Sequence, residues 1–179
     1  MKGKLLACVL LALLLPAGAL AEKTGFGLVA GGLYPIAQDD QETGKTYGFK
    51  FRFRIIGPLV AEPNANFGSY GDVQIAGVGS RDGSTFNHYG LDLLLGGLPA
   101  RIGPKPYLFI GGGVYAIKRE GVTTANKSGW SFGAGLAAGV MKMLDIEVRG
   151  RCNIAAWDNS TSKKALSVTG GVIYYFGKE

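Results

Sequence analysis

The chain has 179 residues, of which 47% are hydrophobic and 18% charged, with 30 glycines and a formal net charge of +6. This composition excludes a disordered chain, which needs low hydrophobicity and high charge, and the glycines do not recur in collagen triplets. Because a glycine inside a helix costs about 1 kcal/mol relative to alanine, a largely helical chain is also disfavoured. We therefore expect an apolar, glycine-rich, all-β protein.

The first 21 residues have the features of a secretory signal peptide. Lys2 and Lys4 form a basic start, residues 5–15 are apolar, and a small-x-small cleavage motif ends at Ala21. The apolar run is too short for a transmembrane helix. We expect cleavage after Ala21, which makes residues 1–21 a cleaved signal peptide and leaves residues 22–179 as one domain.

Five segments of that domain alternate apolar and polar residues with the period of two that is typical of β-strands, and three less regular segments, residues 25–33, 70–78 and 107–118, are also predicted as strands. The clearest is residues 47–55, in which aromatic residues and Ile55 share one face and the charged residues share the other. Residues 107–118 are apolar on both faces, so their orientation stays open. The predicted strands are residues 25–33, 47–55, 70–78, 85–95, 107–118, 128–140, 144–154 and 164–176.

Short connections join these strands, and the intervening residues carry no helical pattern. An even number of strands joined by hairpins predicts an antiparallel meander with both termini at the same end. Strands of roughly 9–13 residues fit the length of tilted transmembrane strands. We therefore predict an eight-stranded antiparallel up-and-down transmembrane β-barrel.

The contrast between the two strand faces decides between a soluble and a membrane barrel. A soluble barrel keeps its apolar face inside, whereas an outer-membrane barrel turns that face to lipid and keeps small and polar residues in the lumen. Here the apolar faces carry large residues such as Trp130 and Phe132, and the opposite faces carry Gly, Ala and Ser with isolated charges. The second arrangement fits better, because eight strands enclose room only for side chains.

The last predicted strand resembles the last strand of a known family of barrel proteins. Residues 170–176, Gly-Gly-Val-Ile-Tyr-Tyr-Phe, are similar to the C-terminal strand of bacterial outer-membrane barrels, and residues 111–115, 128–136 and 144–151 resemble other strands of the family. The whole domain resembles the small eight-stranded barrels typified by the OmpA membrane domain and OmpX. The resemblance implies an outer-membrane location, contact with lipid and lipopolysaccharide, and recognition by the barrel-assembly machinery. It departs from the family in the three residues that follow Phe176.

Alternation places several charged residues on the lumen face, and they are the candidate functional residues. Buried charges are tolerated when they are paired and hydrogen-bonded, so a salt-bridge network that plugs the lumen is the leading interpretation. An excess of positive residues leaves a small anion pore as the alternative. The predicted lumen charges are Lys50, Arg52, Arg54, Asp72, Asp92, Glu147, Arg149 and Arg151.

An enzymatic role is the third hypothesis, because some eight-stranded barrels modify lipid A with a histidine and a serine or acidic partner. His88 is the single histidine of the chain, is predicted to face inward, and has Ser84 and Asp92 nearby in sequence. The lipid A deacylases carry their histidine close before a serine, whereas Tyr89 and Gly90 follow here. We therefore predict a protein that is not an enzyme.

Other candidate sites are weaker. Asp39, Asp40 and Glu42 in the first polar connection could bind a divalent cation, but loop carboxylates are usually only solvated, so we expect no metal or cofactor. Cys152 is the one cysteine of residues 22–179 and lies on an apolar face. Without a basic helix or a base-stacking platform, nucleic-acid binding is not expected. The prediction is a monomeric structural or surface protein of the cell envelope.

Overall fold

The computed structural model describes residues 24–36, 42–75, 79–97, 102–118, 124–156 and 162–176. The predicted signal peptide and the three residues after Phe176 lie outside these ranges. Within them, no helix has the length and apolar character needed to cross a membrane.

The described residues form ten β-strands. Eight of them make a closed barrel in the order β1-β10-β9-β8-β7-β6-β3-β2, and β4 with β5 makes a separate two-stranded hairpin. The strands are β1 (Thr24–Ile36), β2 (Glu42–Ile56), β3 (Leu59–Gly71), β4 (Val73–Ile75), β5 (Gly79–Arg81), β6 (Thr85–Gly96), β7 (Gly103–Lys118), β8 (Ala125–Met141), β9 (Leu144–Ala156) and β10 (Ser162–Phe176).

Every pair of neighbouring barrel strands is antiparallel, and β1 closes the barrel against β10. Thr24 lies opposite Phe176 and Ile36 lies opposite Lys164, so β1 begins where β10 ends. We call this the terminus end of the barrel and the opposite rim the loop end. The structure confirms the predicted eight-stranded antiparallel up-and-down architecture, which leaves no barrel strand with an unpaired edge.

The third predicted strand was misplaced. The sequence pattern favoured residues 70–78, whereas β3 occupies Leu59–Gly71 and the hairpin of β4 and β5 follows it. Pro63 explains why β3 resembles a connection, because proline cannot donate to a strand ladder. The β2–β3 pairing accommodates it by passing from Asn64 opposite Lys50 to Ala61 opposite Phe53.

The outer surface of the barrel is apolar. Leu28, Leu136 and Val148 are each more than half exposed, and tyrosines, phenylalanines and Trp130 cover neighbouring strands. Aromatic side chains form clusters on this surface, such as Phe67 with Tyr47 at 5.7 Å between ring centroids. Such a surface is unsuited to water and matches the apolar exterior of a transmembrane barrel.

The structure settles the orientation of β7, which the sequence left open. Tyr107, Phe109 and Tyr115 are buried inside the barrel, whereas Leu108 and Ile110 are exposed outside. Large aromatic residues therefore occupy the lumen beside β7, in contrast to the small inward residues expected from the other strands.

Two layers of buried apolar side chains lie in the lumen, one towards each end of the barrel. We call them the loop-end layer and the terminus-end layer, and each contains buried aromatic rings. The loop-end layer comprises Leu33, Tyr70, Phe86, Tyr115, Ile117, Ala155 and Ala165. The terminus-end layer comprises Val60, Leu94, Tyr107, Phe109 and Ala137.

Glycines on the lumen face make room for these rings. A Cβ atom added to Gly133 would lie 2.7 Å from the Phe109 ring, and one added to Gly25 would lie 2.7 Å from the Tyr175 ring. Both distances are below normal van der Waals contact. The glycine-rich inner face is therefore required by the aromatic side chains that cross the narrow lumen.

Candidate functional site

The lumen contains a cluster of seven charged side chains, which we call the central network. Its members come from β2, β3, β6 and β9, because alternate residues of these strands point inward. Each is at most 6% exposed. The central network comprises Lys50, Arg52, Glu62, Asp92, Glu147, Arg149 and Arg151.

Glu62 on β3 is a hub of the central network. Its carboxylate accepts a hydrogen bond from Arg52 Nε at 2.7 Å and forms further ion pairs with the Arg52 and Arg149 guanidiniums. Lys50 Nζ lies 3.7 Å from the same carboxylate. Arg52 also donates to Glu147 at 2.7 Å, and Lys50 pairs with Glu147. Two carboxylates thus bind three cations from strands on opposite sides of the lumen.

Asp92 on β6 is the second hub. It accepts a hydrogen bond from Arg149 at 2.7 Å and one from the Asn64 amide at 3.0 Å, and it pairs with Arg151. Arg149 therefore bridges Glu62 and Asp92. Charge-assisted bonds of this kind are about twice as strong as neutral ones, so the network links β2, β3, β6 and β9 across the lumen.

Aromatic rings of β7 pack on the guanidiniums. The Arg149 guanidinium lies 3.6 Å from the Phe109 ring centroid, the Arg52 guanidinium 5.1 Å from that of Tyr107, and the Arg151 guanidinium 5.2 Å from that of Phe109. Cation–π contacts are strongest where water is excluded. The aromatic rings of the terminus-end layer therefore pack directly against the guanidiniums of the central network.

A second, smaller ionic cluster lies nearer the terminus end, and we call it the terminal pair. Lys105 on β7 pairs with Asp145 on β9, and the Tyr175 hydroxyl donates to Asp145 at 3.0 Å. Lys105 Nζ also lies 5.6 Å from the Tyr175 ring centroid. One cation and one carboxylate thus balance each other.

The structure brings together six of the eight predicted lumen charges: Lys50, Arg52, Asp92, Glu147, Arg149 and Arg151. Arg54 lies apart from them near the end of β2, half-buried, where its Nε donates to the Gly57 carbonyl at 2.8 Å. Asp72 is not a lumen residue, because β3 ends at Gly71. It is exposed and accepts from the Gly83 amide at 3.2 Å.

Sequence reasoning missed Glu62 and Lys105, which it assigned to connections between strands, and Asp145, which lies at the start of the predicted strand 144–154 but was not assigned to the lumen. Glu62 had a detectable signal, because polar residues at 62, 64 and 66 alternate with Ala61, Pro63 and Ala65. Lys105 and Asp145 lie at strand ends, where alternation is too short to assign a face.

His88 faces the lumen, as predicted, and is 2% exposed. Its ring lies 4.6 Å from that of Tyr115, and its Nδ1 lies 3.3 Å from an Arg151 nitrogen. Asp92, the acidic partner that a catalytic histidine would need, is instead engaged by two arginines and an asparagine. This arrangement does not orient His88 as a general base.

Among the described residues, no group of three histidine, cysteine or acidic side chains could hold a metal ion. Of the acidic residues considered for a cation site, Asp39 and Asp40 lie outside the described residues. Glu42 is an exposed residue at the start of β2.

A small cavity adjoins the central network on the side of β1, β2, β3, β9 and β10. Its volume is about 10 Å³, which is enough for one water-sized group. It is lined by Val29, Lys50, Asn64, Asn66, Arg149, Arg151, Ser167 and Thr169.

Several solved structures share this fold. Neisserial surface protein A is similar with a TM-score of 0.66 and 14% identity, over 86% of this chain and 97% of that one. The Pseudomonas aeruginosa outer membrane protein OprG has a TM-score of 0.57 at 12% identity, over 89% and 98%. The N-terminal barrel domain of Pseudomonas aeruginosa OprF has a TM-score of 0.55 at 15% identity, over 85% and 97%.

No family model matches the chain, and no curated protein matches it. The similarity to the solved structures therefore establishes the fold, which is that of small eight-stranded outer-membrane barrels.

Proposed function

We propose that the chain is an integral outer-membrane protein with a structural or surface role in the cell envelope, and that the central network plugs its lumen. The observation that carries the proposal is the filling of the lumen. Seven paired charges occupy the middle of the barrel, between two layers of aromatic and aliphatic side chains. A barrel filled in this way contributes a rigid, sealed element to a membrane.

The outer surface supports the membrane location. Its exposed leucines, valines and aromatic residues would contact lipid and the acyl chains of lipopolysaccharide, while the closed strand order leaves no barrel strand with an unpaired edge for self-association. We therefore propose a monomer. The exposed Val172, Tyr174 and Phe176 of β10 would be available to the barrel-assembly machinery before insertion.

Membrane fractionation of the expressed full chain tests the location. We expect the protein in the outer-membrane fraction, with faster gel migration before boiling than after it, as a folded barrel shows. Mass measurement of the recovered protein should give a chain beginning at Glu22. Recovery in the soluble periplasm would contradict the membrane location, and a retained segment 1–21 would contradict the cleavage.

Planar bilayer recording tests the plug against the alternative of a small anion pore. One observation favours the pore, because the central network holds four cations and three carboxylates. For a plugged lumen we expect no reproducible conductance steps from the purified folded barrel, with a known open porin as positive control. Reproducible steps with anion selectivity would contradict the plug and support the pore.

A further inference from the structure

The cavity beside the central network has an unusual lining. Three of its residues are cations, Lys50, Arg149 and Arg151, each at most 6% exposed. The others supply amides, hydroxyls and one valine, and among the described residues that line it none is acidic. A wall of cations and neutral hydrogen-bond donors is suited to an anion.

The charges of the central network do not balance. Four cations face three carboxylates, whereas the terminal pair is balanced. The excess is concentrated near Arg151, because Arg151 and Arg149 share the carboxylate of Asp92. The other polar contacts of Arg151 are with Ser131 Oγ at 3.2 Å and His88 Nδ1 at 3.3 Å, and neither group carries a negative charge.

An unbalanced charge in the middle of a barrel is costly. Burial removes the hydration of an ion, and this cost is offset only when an opposite charge lies close by. The cavity lies where that opposite charge is needed, since Arg149 and Arg151 form part of its wall.

We propose that this cavity binds one small monovalent anion of the size of chloride, as a counter-ion for Arg149, Arg151 and Lys50. Ser167 and Thr169 on the neighbouring strand β10 pair in register with Arg151 and Arg149, and they would supply hydroxyl donors beside the two guanidiniums. A cavity of about 10 Å³ is too small for phosphate or a larger organic anion, which restricts the site to a small monatomic ion. The proposed structural role requires no ligand, so this site goes beyond it.

The test uses the full barrel, folded in a non-ionic detergent. Unfolding is measured as sodium chloride replaces sodium gluconate at constant ionic strength, and chloride-35 NMR linewidths report binding directly. We expect saturable excess broadening that bromide reverses. The unfolding equilibrium constant should fall about tenfold when chloride reaches ten times its dissociation constant.

Three variants locate the site. Arg151→Gln removes the excess cation and should abolish the saturable chloride response. Lys118→Gln removes an exposed cation at the end of β7 and should leave the response unchanged. Thr169→Val removes one hydroxyl with little change in shape and should raise the chloride concentration for half-effect at least about fivefold.

The outcomes are separable from those of the conductance test, because binding is read in detergent without ion flow. Absence of saturable broadening in the unmodified protein would overturn the proposal. An unchanged response in Arg151→Gln would also overturn it. If Arg151→Gln does not fold, an unchanged half-effect concentration in Thr169→Val has the same meaning.

Discussion

The central network and the terminal pair lie in the same lumen, yet they are built differently. In the central network Glu62, Asp92 and Glu147 each contact at least two cations. In the terminal pair one lysine meets one aspartate, with help from a tyrosine hydroxyl. The first cluster lies between two apolar layers, and the second lies nearer the terminus end.

The difference shows that burial alone does not set the number of partners. Lys105 and Asp145 are 6% and 0% exposed, as little as the central charges, yet each has a single charged partner in the terminal pair. Removing a carboxylate that serves several cations leaves several buried ions short of a partner, whereas removing one from the terminal pair leaves one. The consequences of removing a charge should therefore fall from the central network to the terminal pair.

The largest effect is expected from Glu62→Ala. This variant leaves Arg52 and Arg149 buried with too few carboxylates, and it should lower the free energy of unfolding by about 3–5 kcal/mol. Reversible urea unfolding of the barrel in detergent or lipid vesicles measures the change. Glu42→Ala, in the exposed start of β2, is the matched control and should change stability by less than about 0.5 kcal/mol.

Gly135→Ala tests whether the central network depends on its aromatic support. The added methyl group would press on the side chain of Tyr107, whose ring centroid lies 5.1 Å from the Arg52 guanidinium. Overpacking of this kind should cost about 1–3 kcal/mol in the same unfolding measurement.

Gly112→Ala is the control for that variant. Gly112 is outward-facing on β7, and the nearest atom to an added methyl group is the Gly129 carbonyl oxygen at 3.7 Å. Its stability should stay close to that of the unmodified protein. Equal losses in the two variants would show that the inner glycines do not serve the network.

A smaller effect is expected from Asp145→Asn in the terminal pair. The amide oxygen can still accept from Tyr175, and a single cation, Lys105, loses its charge partner. We expect a loss of about 2 kcal/mol, less than for Glu62→Ala, which leaves two arginines short of a carboxylate. A loss as large as that of Glu62→Ala would show that the number of ionic partners does not set the cost of removing a lumen charge.

The smallest effect is expected when the terminal pair is replaced as a whole. Lys105→Met together with Asp145→Leu removes both charges and leaves no buried ion behind. Replacement of a buried ion pair by apolar groups of similar volume is often close to neutral, so we expect a change within about 1 kcal/mol. A double-mutant cycle with each single variant measures the interaction.

Most of the barrel could be predicted from the sequence, because five strands carry clear alternation. In residues 47–55 one face is wholly apolar and the other polar, and β2 has this orientation in the structure. The prediction failed at β3, where Pro63 and asparagines resemble a connection. Periodicity also could not orient β7, because its inward residues are aromatic and its outward residues aliphatic.

The candidate site was predictable in part. Arg52, Arg149 and Arg151 follow from alternation, since each lies on the polar face of a clear strand. The partnership of Glu62 with Arg52 and Arg149 did not follow. That partnership requires β3 to lie beside β2 and across the lumen from β9. The closure of the barrel and the stagger of its strands determine this arrangement.

Alternation along the chain is a local property, and it is enough to specify β-strands with an apolar and a polar face and the antiparallel meander that joins them. Which charges meet is a property of the closed barrel. Closure brings Arg149 on β9 to Glu62 on β3 and Asp92 on β6, although they are far apart in sequence. The packing of Phe109 on Arg149, and the cavity opposite it, arise because a narrow lumen forces side chains from distant strands into one space.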